Sequence, residues 1–228
     1  MGARGLSGGD SFGGFRTRLV EQLRAKGIRS LPVLNAIALV PRHLFVPDSV
    51  RHRAYEDSPL PIGWGQTISQ PWVQARSLEL MELTGKERVL EVGAGSGYQT
   101  ALLAHLASQV FAIERMPTLA YAAREALDRA GISNATVLVG DGTLGWRSLA
   151  PFDAIVVAAA SPSVPPPLIE QLAPGGRLII PLGVGEVQEL TVFEKAAAGG
   201  QGEQALRRLH VADVRFVPLI GKHGFAGE

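Results

Sequence analysis

The chain has 228 residues and a mass of 24.2 kDa, and its formal net charge is +1 at pH 7. This near-neutral charge gives no indication of a nucleic-acid or membrane-surface binder that relies on bulk charge. The absence of cysteine excludes disulfides, thiolate nucleophiles and Cys-ligated metal centres.

The N-terminal residues 1–14 contain six glycines and few side chains to bury, which predicts a flexible tail. Residues 15–228 are expected to form a single domain, as their length and composition suggest. The tail lacks the apolar run of a signal peptide. No segment approaches the ~18 apolar residues that a membrane span requires. The absence of cysteine and of targeting signals leads us to expect a cytoplasmic protein.

Two helices are predicted next. Apolar residues recur four apart from Phe15, and this pattern predicts a helix that ends at Gly27. Ser30 is predicted to cap a second helix, which must end near Val40 because a proline follows. Residues 41–71 are rich in proline and are expected to be largely irregular, and their apolar side chains argue against disorder.

An alternation of helices and strands follows. A helix is predicted from Trp72 to about Leu83. Strands are predicted at 88–92, 109–113, 136–139, 152–158 and 177–181, with helices at 98–106, 118–130 and 167–172. This rhythm indicates βαβ units and a mostly parallel, doubly wound α/β sheet. Segments 189–194 and 206–218 are expected to add antiparallel strands at its C-terminal end.

A glycine-rich turn, Glu91-Val92-Gly93-Ala94-Gly95-Ser96-Gly97, joins the first of these strands to its helix. Glycines let the backbone approach a ligand closely, although such a turn also occurs without one. Tyr98 stands where the dinucleotide-binding pattern has its third glycine. Glu114 lies 21 residues after Gly93 (114 − 93) and suits a carboxylate that accepts hydrogen bonds from ribose hydroxyls. Glu91 would repel a diphosphate, which favours S-adenosylmethionine over NAD.

Asp141 lies between Gly140 and Gly142, directly after the third predicted strand of the parallel sheet. Ligands in open α/β sheets bind beyond the carboxyl ends of the strands, where this loop is expected. The Asp141 carboxylate and neighbouring N–H groups could therefore recognise an adenine ring. An Asp-Gly turn that binds no ligand is the alternative.

Longer motifs accompany the glycine turn, at residues 40–47, 54–57, 61–71, 140–142, 174–178 and 216–219. The most specific of them contains Gln66-Thr67-Ile68-Ser69-Gln70-Pro71. On these residues the chain resembles the protein-L-isoaspartate O-methyltransferases, from Phe15 to Phe225. Trp64 and Phe225 depart from the family's usual residues, at positions that bear on substrate preference.

The resemblance implies a Rossmann-like class I methyltransferase fold. Residues 15–83 would form the N-terminal helices and a substrate-facing segment, 84–195 the cofactor-binding core, and 196–228 the C-terminal strands. The implied reaction transfers a methyl group from S-adenosylmethionine to the α-carboxylate of an L-isoaspartyl residue in a damaged protein, and leaves S-adenosylhomocysteine. The ester then collapses to a succinimide, which reopens partly to normal aspartate.

The resemblance and the glycine turn together define the expected site. Ser69 is the expected catalytic residue. The cofactor is expected to contact Gln66, Thr67, Ile68, Ser69, Glu91, Gly93, Ala94, Gly95, Gly97, Glu114, Arg115, Asp141 and Gly142. The peptide substrate is expected to contact Ile62, Trp64, Val217, Pro218 and Leu219.

The chemistry of the substrate limits what the site must supply. A free α-carboxylate has a pKa of about 3.3–3.7, so it is ionised at neutral pH and needs neither a general base nor a metal. Ser69 would orient a carboxylate oxygen by a hydrogen bond, and positioning would be the main contribution to rate. The alternative is that Ser69 only caps the helix after Pro71.

Other functions fit the sequence less well. A hydrolase would need G-x-S-x-G, but Ala94 stands two residues before Ser96. The histidines lack zinc-binding spacing, and the Asn/Asp-Pro-Pro-Tyr motif of adenine N-methylating enzymes is absent. Two alternatives remain: a methyltransferase for another small carboxylate or hydroxyl, and a non-catalytic S-adenosylmethionine-binding module. The expected partners are isoaspartyl peptides and proteins, with no nucleic acid or membrane, and we expect a monomer.

Overall fold

The computed structural model describes residues 12–197 and 206–227. The flexible tail predicted for residues 1–14 therefore lies mostly outside the described residues. Its last part is helical, because α1 spans Gly13–Ala25. The ring of Phe12 stacks on His43 with 4.2 Å between centroids, and this contact fixes the start of α1 ahead of the predicted position.

The second helix, α2, spans Leu31–Leu39 and has the predicted ends. The Ser30 side chain accepts a hydrogen bond from the Val33 N–H at 3.5 Å, which confirms the N-cap. The chain leaves the helix at Val40, before Pro41.

The proline-rich segment is more regular than predicted. It contains two short 3₁₀ turns, Arg42–Phe45 and Asp48–Arg53, and an antiparallel hairpin of β1 (Leu60–Gly63) and β2 (Gln66–Ile68). The prediction of a largely irregular chain is wrong for this hairpin. The hairpin forms because residues 63–65 all adopt positive φ angles, Trp64 among them at 49°. The helix α3 then spans Pro71–Leu80, shorter than predicted.

A seven-stranded sheet forms the centre of the molecule. Its strands are β3 (Arg88–Val92), β4 (Gln109–Glu114), β5 (Ala135–Val139), β6 (Phe152–Val157), β7 (Leu172–Leu182), β8 (Gln188–Lys195) and β9 (Leu206–Val214). Their spatial order is β5-β4-β3-β6-β7-β8-β9, with β3 to β7 parallel and β8 and β9 antiparallel. The predicted α/β class, parallel core and antiparallel C-terminal strands are confirmed.

Helices cover both faces of the sheet. They are α4 (Tyr98–Ala104), α5 (Pro117–Arg129) and α6 (Pro166–Gln171). Alternate residues of each strand enter different apolar clusters: Val89 packs in the larger one, with the N-terminal helices, and Leu90 in the smaller. This double coverage explains why β3 is almost wholly buried.

The topology determines where a ligand can bind. The chain runs outward from β3 through β4 to β5, then crosses to β6 on the other side of β3. The crevice beyond the carboxyl ends of β3 and β6 is therefore the switch point at which α/β sheets bind ligands. The glycine turn lies there, between β3 and α4.

Gly97, which precedes α4, has a φ of 84°. A Cβ atom at this position would lie 3.1 Å from the Cβ of Ala123 in α5. Gly131 also has a positive φ, of 72°, but a Cβ added there would have no described atom within 4 Å. Gly97 thus combines a left-handed backbone with a close contact between helices.

These two glycines allow a matched test of that contact. Gly131→Ala should lower the free energy of unfolding by about 1–2 kcal/mol through backbone strain alone. Gly97→Ala should cost a further 1–3 kcal/mol, roughly, because α5 must move away. Urea unfolding measures the free energy of unfolding of both variants. An equal decrease in the two would show that α5 moves to make room for the new methyl group at no energetic cost.

Candidate active site

A cavity opens at the switch point, with about 910 Å³ of empty space that is partly open to solvent. Four segments supply most of the walls: 66–69, 91–96, 113–116 and 217–220. The remaining lining residues are Gln74, Gln99, Leu119, Gly142, Ala158 and Ala159.

Hydrogen bonds to β4 hold the glycine turn in place. The N–H groups of Gly93 and Ala94 both donate to the carbonyl oxygen of Ile113, at 2.8 and 3.2 Å. Gly93 has a φ of 90°, and a Cβ there would lie 3.7 Å from the Cβ of Ala158. The turn is therefore fitted closely between the ends of β4 and β6.

Glu114, at the end of β4, lines the cavity as predicted and is largely buried. Its Oε2 accepts the Gly95 N–H at 2.8 Å, and its Oε1 accepts the Met116 N–H at 3.0 Å. Each oxygen keeps a further lone pair for a ligand hydroxyl. Arg115 lines the same wall.

Glu91 lines the cavity, but its protonation state differs from the negative charge that the sequence led us to expect. Its carboxyl group is fully buried and accepts hydrogen bonds from Gln99 Nε2 at 3.1 Å and Thr100 Oγ1 at 2.5 Å. Burial raises the pKa of Glu91 to about 8 and outweighs these hydrogen bonds. The carboxyl group is therefore mainly neutral at pH 7, and its charge does not by itself select a cationic ligand.

Two predicted cofactor residues lie outside the cavity lining. Gly97 packs against α5, as described above. The Asp141 carboxylate binds protein groups: Oδ1 accepts the N–H and hydroxyl of Thr143 at 2.9 and 2.7 Å, and Oδ2 accepts the Lys222 N–H at 2.8 Å. These hydrogen bonds outweigh partial burial and hold the pKa of Asp141 below its usual value. Gly142 does line the cavity, and a side chain there would clash with Val92.

Asp141 thereby connects the third parallel strand to the C-terminal segment. Residues 217–220 form a wall of the cavity, and Lys222 follows them closely. The prediction that the Asp141 side chain contacts adenine stays a prediction, and its described hydrogen bonds are all to protein groups. The same carboxylate also holds Lys222, and with it the end of the 217–220 wall, in place.

Ser69 lies where two openings meet. It lines the cavity and also a neighbouring groove, with which the cavity shares Thr67, Ala158 and Val217. The groove is further lined by Pro59, Gln70, Trp72, Val73, Val187, Asp213, Val214, Arg215 and Phe216. The Ser69 side chain is partly buried and accessible from both sides.

The alternative role of Ser69 as a helix cap is wrong. The N-cap of α3 is Gln70, whose own side chain does not cap the helix, and the Trp72 N–H in the first turn donates to Asp57 Oδ1 at 2.8 Å. Only the Ser69 carbonyl takes part in hydrogen bonding within the described ranges, as an acceptor from Arg42 Nη2 at 2.8 Å. The hydroxyl is therefore available to a ligand.

The predicted substrate residues separate into two groups. Val217 lines both openings, and Pro218 and Leu219 line the cavity. Ile62 is instead a core residue, and Trp64 lies at the hairpin turn with 59% of its surface exposed. Neither of these two lines the cavity or the groove.

Two residues near Ser69 escaped prediction. Gln74 faces the cavity from α3, and Arg42 is fully buried behind it. The Arg42 Nη1 donates to Gln74 Oε1 at 2.8 Å. Glutamine on a helix and arginine after a proline carry no sequence signal for such a pair, because their contact depends on tertiary structure.

Within residues 12–197 and 206–227, no three His, Asp or Glu side chains lie together as metal ligands. In the same part of the chain, no helix has the length and apolar character to span a membrane. The expectations of a metal-free, monomeric and cytoplasmic protein stay predictions.

Comparison with known proteins decides the family. A family model described as Protein-L-isoaspartate(D-aspartate) O-methyltransferase (PCMT) matches residues 15–224. The chain belongs to this family. It is 48% identical to a protein-L-isoaspartate O-methyltransferase of Syntrophus aciditrophicus, over 96% of this chain and 99% of the relative. It is 51% identical to one of Aeropyrum pernix, over 97% and 85%.

Solved structures agree. A protein-L-isoaspartate O-methyltransferase superposes with a TM-score of 0.82 at 29% identity, over 92% of this chain and 67% of the other. A Plasmodium falciparum protein assigned to the same enzyme, crystallised with S-adenosyl-L-homocysteine, gives a TM-score of 0.78 at 28% identity, over 90% and 98%. The predicted family, Rossmann-like methyltransferase fold and enzyme class are confirmed.

The role of Asp141 can be tested by Asp141→Asn. An amide cannot accept at both ends, so the Lys222 N–H or the Thr143 groups lose an acceptor, at a cost of about 1.5–3 kcal/mol. The amide of Lys222 should then exchange faster with solvent, and the affinity for S-adenosylhomocysteine should fall. Asp153→Asn is the control, because its Oδ2 accepts the Arg88 N–H at the opposite end of β3. Unchanged Lys222 exchange would contradict the proposed connection.

Glu91 should make stability depend on pH. Its pKa rises from an ordinary 4.5 to about 8 on folding, so the unfolded chain loses this proton at lower pH. The contribution is complete below about 4.5 and is lost as pH rises towards 8. Glu91→Gln, which cannot ionise, should gain stability relative to the wild type across this interval in urea unfolding. A pH-independent difference would show that Glu91 ionises normally.

Proposed function

We propose that this protein transfers the methyl group of S-adenosylmethionine to the α-carboxylate of L-isoaspartyl residues in damaged peptides and proteins, which starts their repair through a succinimide. The observation that carries the proposal is the position of Ser69. Its hydroxyl has no hydrogen-bond partner among the described residues, and it lies between a cavity with the features of a nucleoside site and a groove of a size for a peptide.

The cavity residues fit S-adenosylmethionine. Gly93 and Gly95 leave room for close approach to the backbone, and Glu114 is a buried carboxylate suited to ribose hydroxyls. Gly142 supplies a flat wall without a side chain at the end of β5. The bound cofactor supplies a methyl group on a positively charged sulfur.

The protein's own residues then have a limited task. The substrate carboxylate reaches the junction already ionised, so no side chain needs to remove a proton. The Ser69 hydroxyl donates a hydrogen bond to one carboxylate oxygen and leaves the other free to attack. Because the carboxylate and the sulfonium neutralise each other during transfer, correct placement is the main source of rate enhancement.

The groove favours a peptide over a small carboxylate. Its walls come mainly from the Pro59–Val73 region, which includes Ser69, and from residues 213–217. Arg215 and Asp213 place opposite charges along it, while Trp72 and Phe216 are apolar. Such a mixed surface can accommodate varied residues on either side of an isoaspartyl linkage.

A pair of synthetic peptides tests the reaction. The two peptides differ only in an isoaspartyl or an aspartyl linkage, and each is incubated with isotopically labelled S-adenosylmethionine. Base-labile label should appear on the isoaspartyl peptide alone. Equal labelling of both peptides would indicate another carboxylate substrate, and no labelling would indicate a non-catalytic binding module.

The same assay tests Ser69. Loss of one hydrogen bond to a charged group costs about 1.5–3 kcal/mol, so Ser69→Ala should lower kcat by roughly 10- to 100-fold. Affinity for S-adenosylhomocysteine should change little. Ser58→Ala serves as the control, because Ser58 is on the same N-terminal segment but lines neither opening. A normal kcat in Ser69→Ala would remove Ser69 from the mechanism.

A further inference from the structure

Arg42 is a fully buried basic side chain close to the site. It belongs to the 3₁₀ turn Arg42–Phe45, and none of its surface is exposed. It lines neither the cavity nor the groove, so it does not touch a ligand in either. It nevertheless forms hydrogen bonds with Ser69 and Gln74, which line the cavity.

Three parts of the site meet at the Arg42 guanidinium. Nη2 donates to the Ser69 carbonyl oxygen and Nη1 to Gln74 Oε1, each at 2.8 Å. The central carbon Cζ lies 4.6 Å from the ring centroid of Tyr98, the first residue of α4 after the glycine turn. Arg42 thus connects the segment before α3, the cavity face of α3, and the start of α4.

The charge of Arg42 is not compensated locally. It forms no ion pair with any of the described residues, and its Nε has no hydrogen-bond partner there. Burial raises the pKa of Tyr98 to about 12, so the neighbouring phenol is neutral. Asp57 contributes only at longer range, since its carboxylate binds Lys26 at 2.6 Å and the Trp72 N–H at 2.8 Å.

Stability alone does not account for such a residue. An uncompensated buried charge is costly, and an apolar side chain of similar volume would fill the site without that cost. The planar guanidinium instead offers several N–H donors whose directions are fixed relative to one another. That geometry suits a residue that sets the relative position of two other groups.

We propose that Arg42 is a positioning residue for methyl transfer, which holds the Ser69 backbone so that the Ser69 hydroxyl faces the junction of the cavity and the groove. This inference rests on the proposed function of Ser69. Arg42 acts through its hydrogen bond to the Ser69 carbonyl oxygen. Its second hydrogen bond, to Gln74 Oε1, fixes the orientation of the guanidinium. The Tyr98 ring supports the guanidinium from the side of the glycine turn.

Arg42→Lys tests the proposal, because lysine keeps the charge but cannot bind Ser69 and Gln74 with the same planar geometry. The variant should lower kcat for an isoaspartyl peptide by about 10- to 100-fold, as expected for a small displacement of a site group. The KM for the peptide and the affinity for S-adenosylhomocysteine should change by less than about three-fold, since Arg42 touches neither.

Arg88→Lys is a matched control. Arg88 also donates to two carbonyl oxygens, of Leu149 at 2.8 Å and Pro151 at 3.3 Å, and lies 5.3 Å from the ring centroid of Phe111. It lies at the start of β3, at the opposite end of that strand from the glycine turn. Its substitution should leave kcat within about two-fold of the wild type.

A double-mutant cycle separates positioning from a general structural role. In a Ser69→Ala background the Ser69 hydroxyl is gone, so Arg42→Lys should change kcat by less than about two-fold. An equal loss in both backgrounds, or a normal kcat for Arg42→Lys alone, would overturn the proposal. Absence of isoaspartyl methylation by the wild type would instead overturn the proposed function.

Folding of each variant is checked by circular dichroism and by the stoichiometry of S-adenosylhomocysteine binding. If Arg42→Lys does not fold, Gln74→Met provides the second test, because it leaves Arg42 in place and removes one of its two acceptors. Gln74→Met should lower kcat in the wild type and have little further effect in Ser69→Ala. Equal effects in the two backgrounds would contradict the proposal in the same way.

Discussion

Two hydrogen bonds from the glycine turn to the end of β4 are the constraint on which the site depends. Because Gly93 and Ala94 share the Ile113 carbonyl, the turn cannot move without disturbing the central sheet. The start of α4 is thereby fixed, and with it the Tyr98 ring that supports Arg42. The cofactor side and the Ser69 side are therefore connected through buried, rigid contacts, as transfer between two separately bound molecules requires.

Local patterns were sufficient to predict most of the fold. The Ser30 cap and the apolar runs of β3 and β6 are determined by neighbouring residues, and the structure retains them. The β1–β2 hairpin was missed because prolines mask the strand pattern. Its turn also uses a left-handed Trp64, a conformation that side-chain type does not predict.

The cavity lining was predictable where the backbone of a motif itself forms the wall, as at Gly93 and Gly95. It was not predictable where a residue type has two uses. Gly97 packs against α5, and the Asp141 carboxylate accepts a hydrogen bond from the C-terminal segment. Glycine and aspartate are as common in helix packing and in turns as they are in ligand sites, so their type alone does not distinguish these uses. Arg42 was missed for a different reason: its partners lie far away in the chain, and a buried arginine cannot be distinguished from a surface one by sequence.

The wall formed by residues 217–220 has a consequence for biosynthesis. It comes long after the glycine turn in chain order, so a chain that grows from its N-terminus can complete the parallel strands before the cavity is enclosed. Contacts of this kind, between distant parts of the chain, are slow to form because of the entropy of closing a long loop. A ligand that needs all four walls therefore stabilises the finished protein and not its partly folded precursors. A cofactor that contacts all four walls would therefore bind only chains that have finished folding.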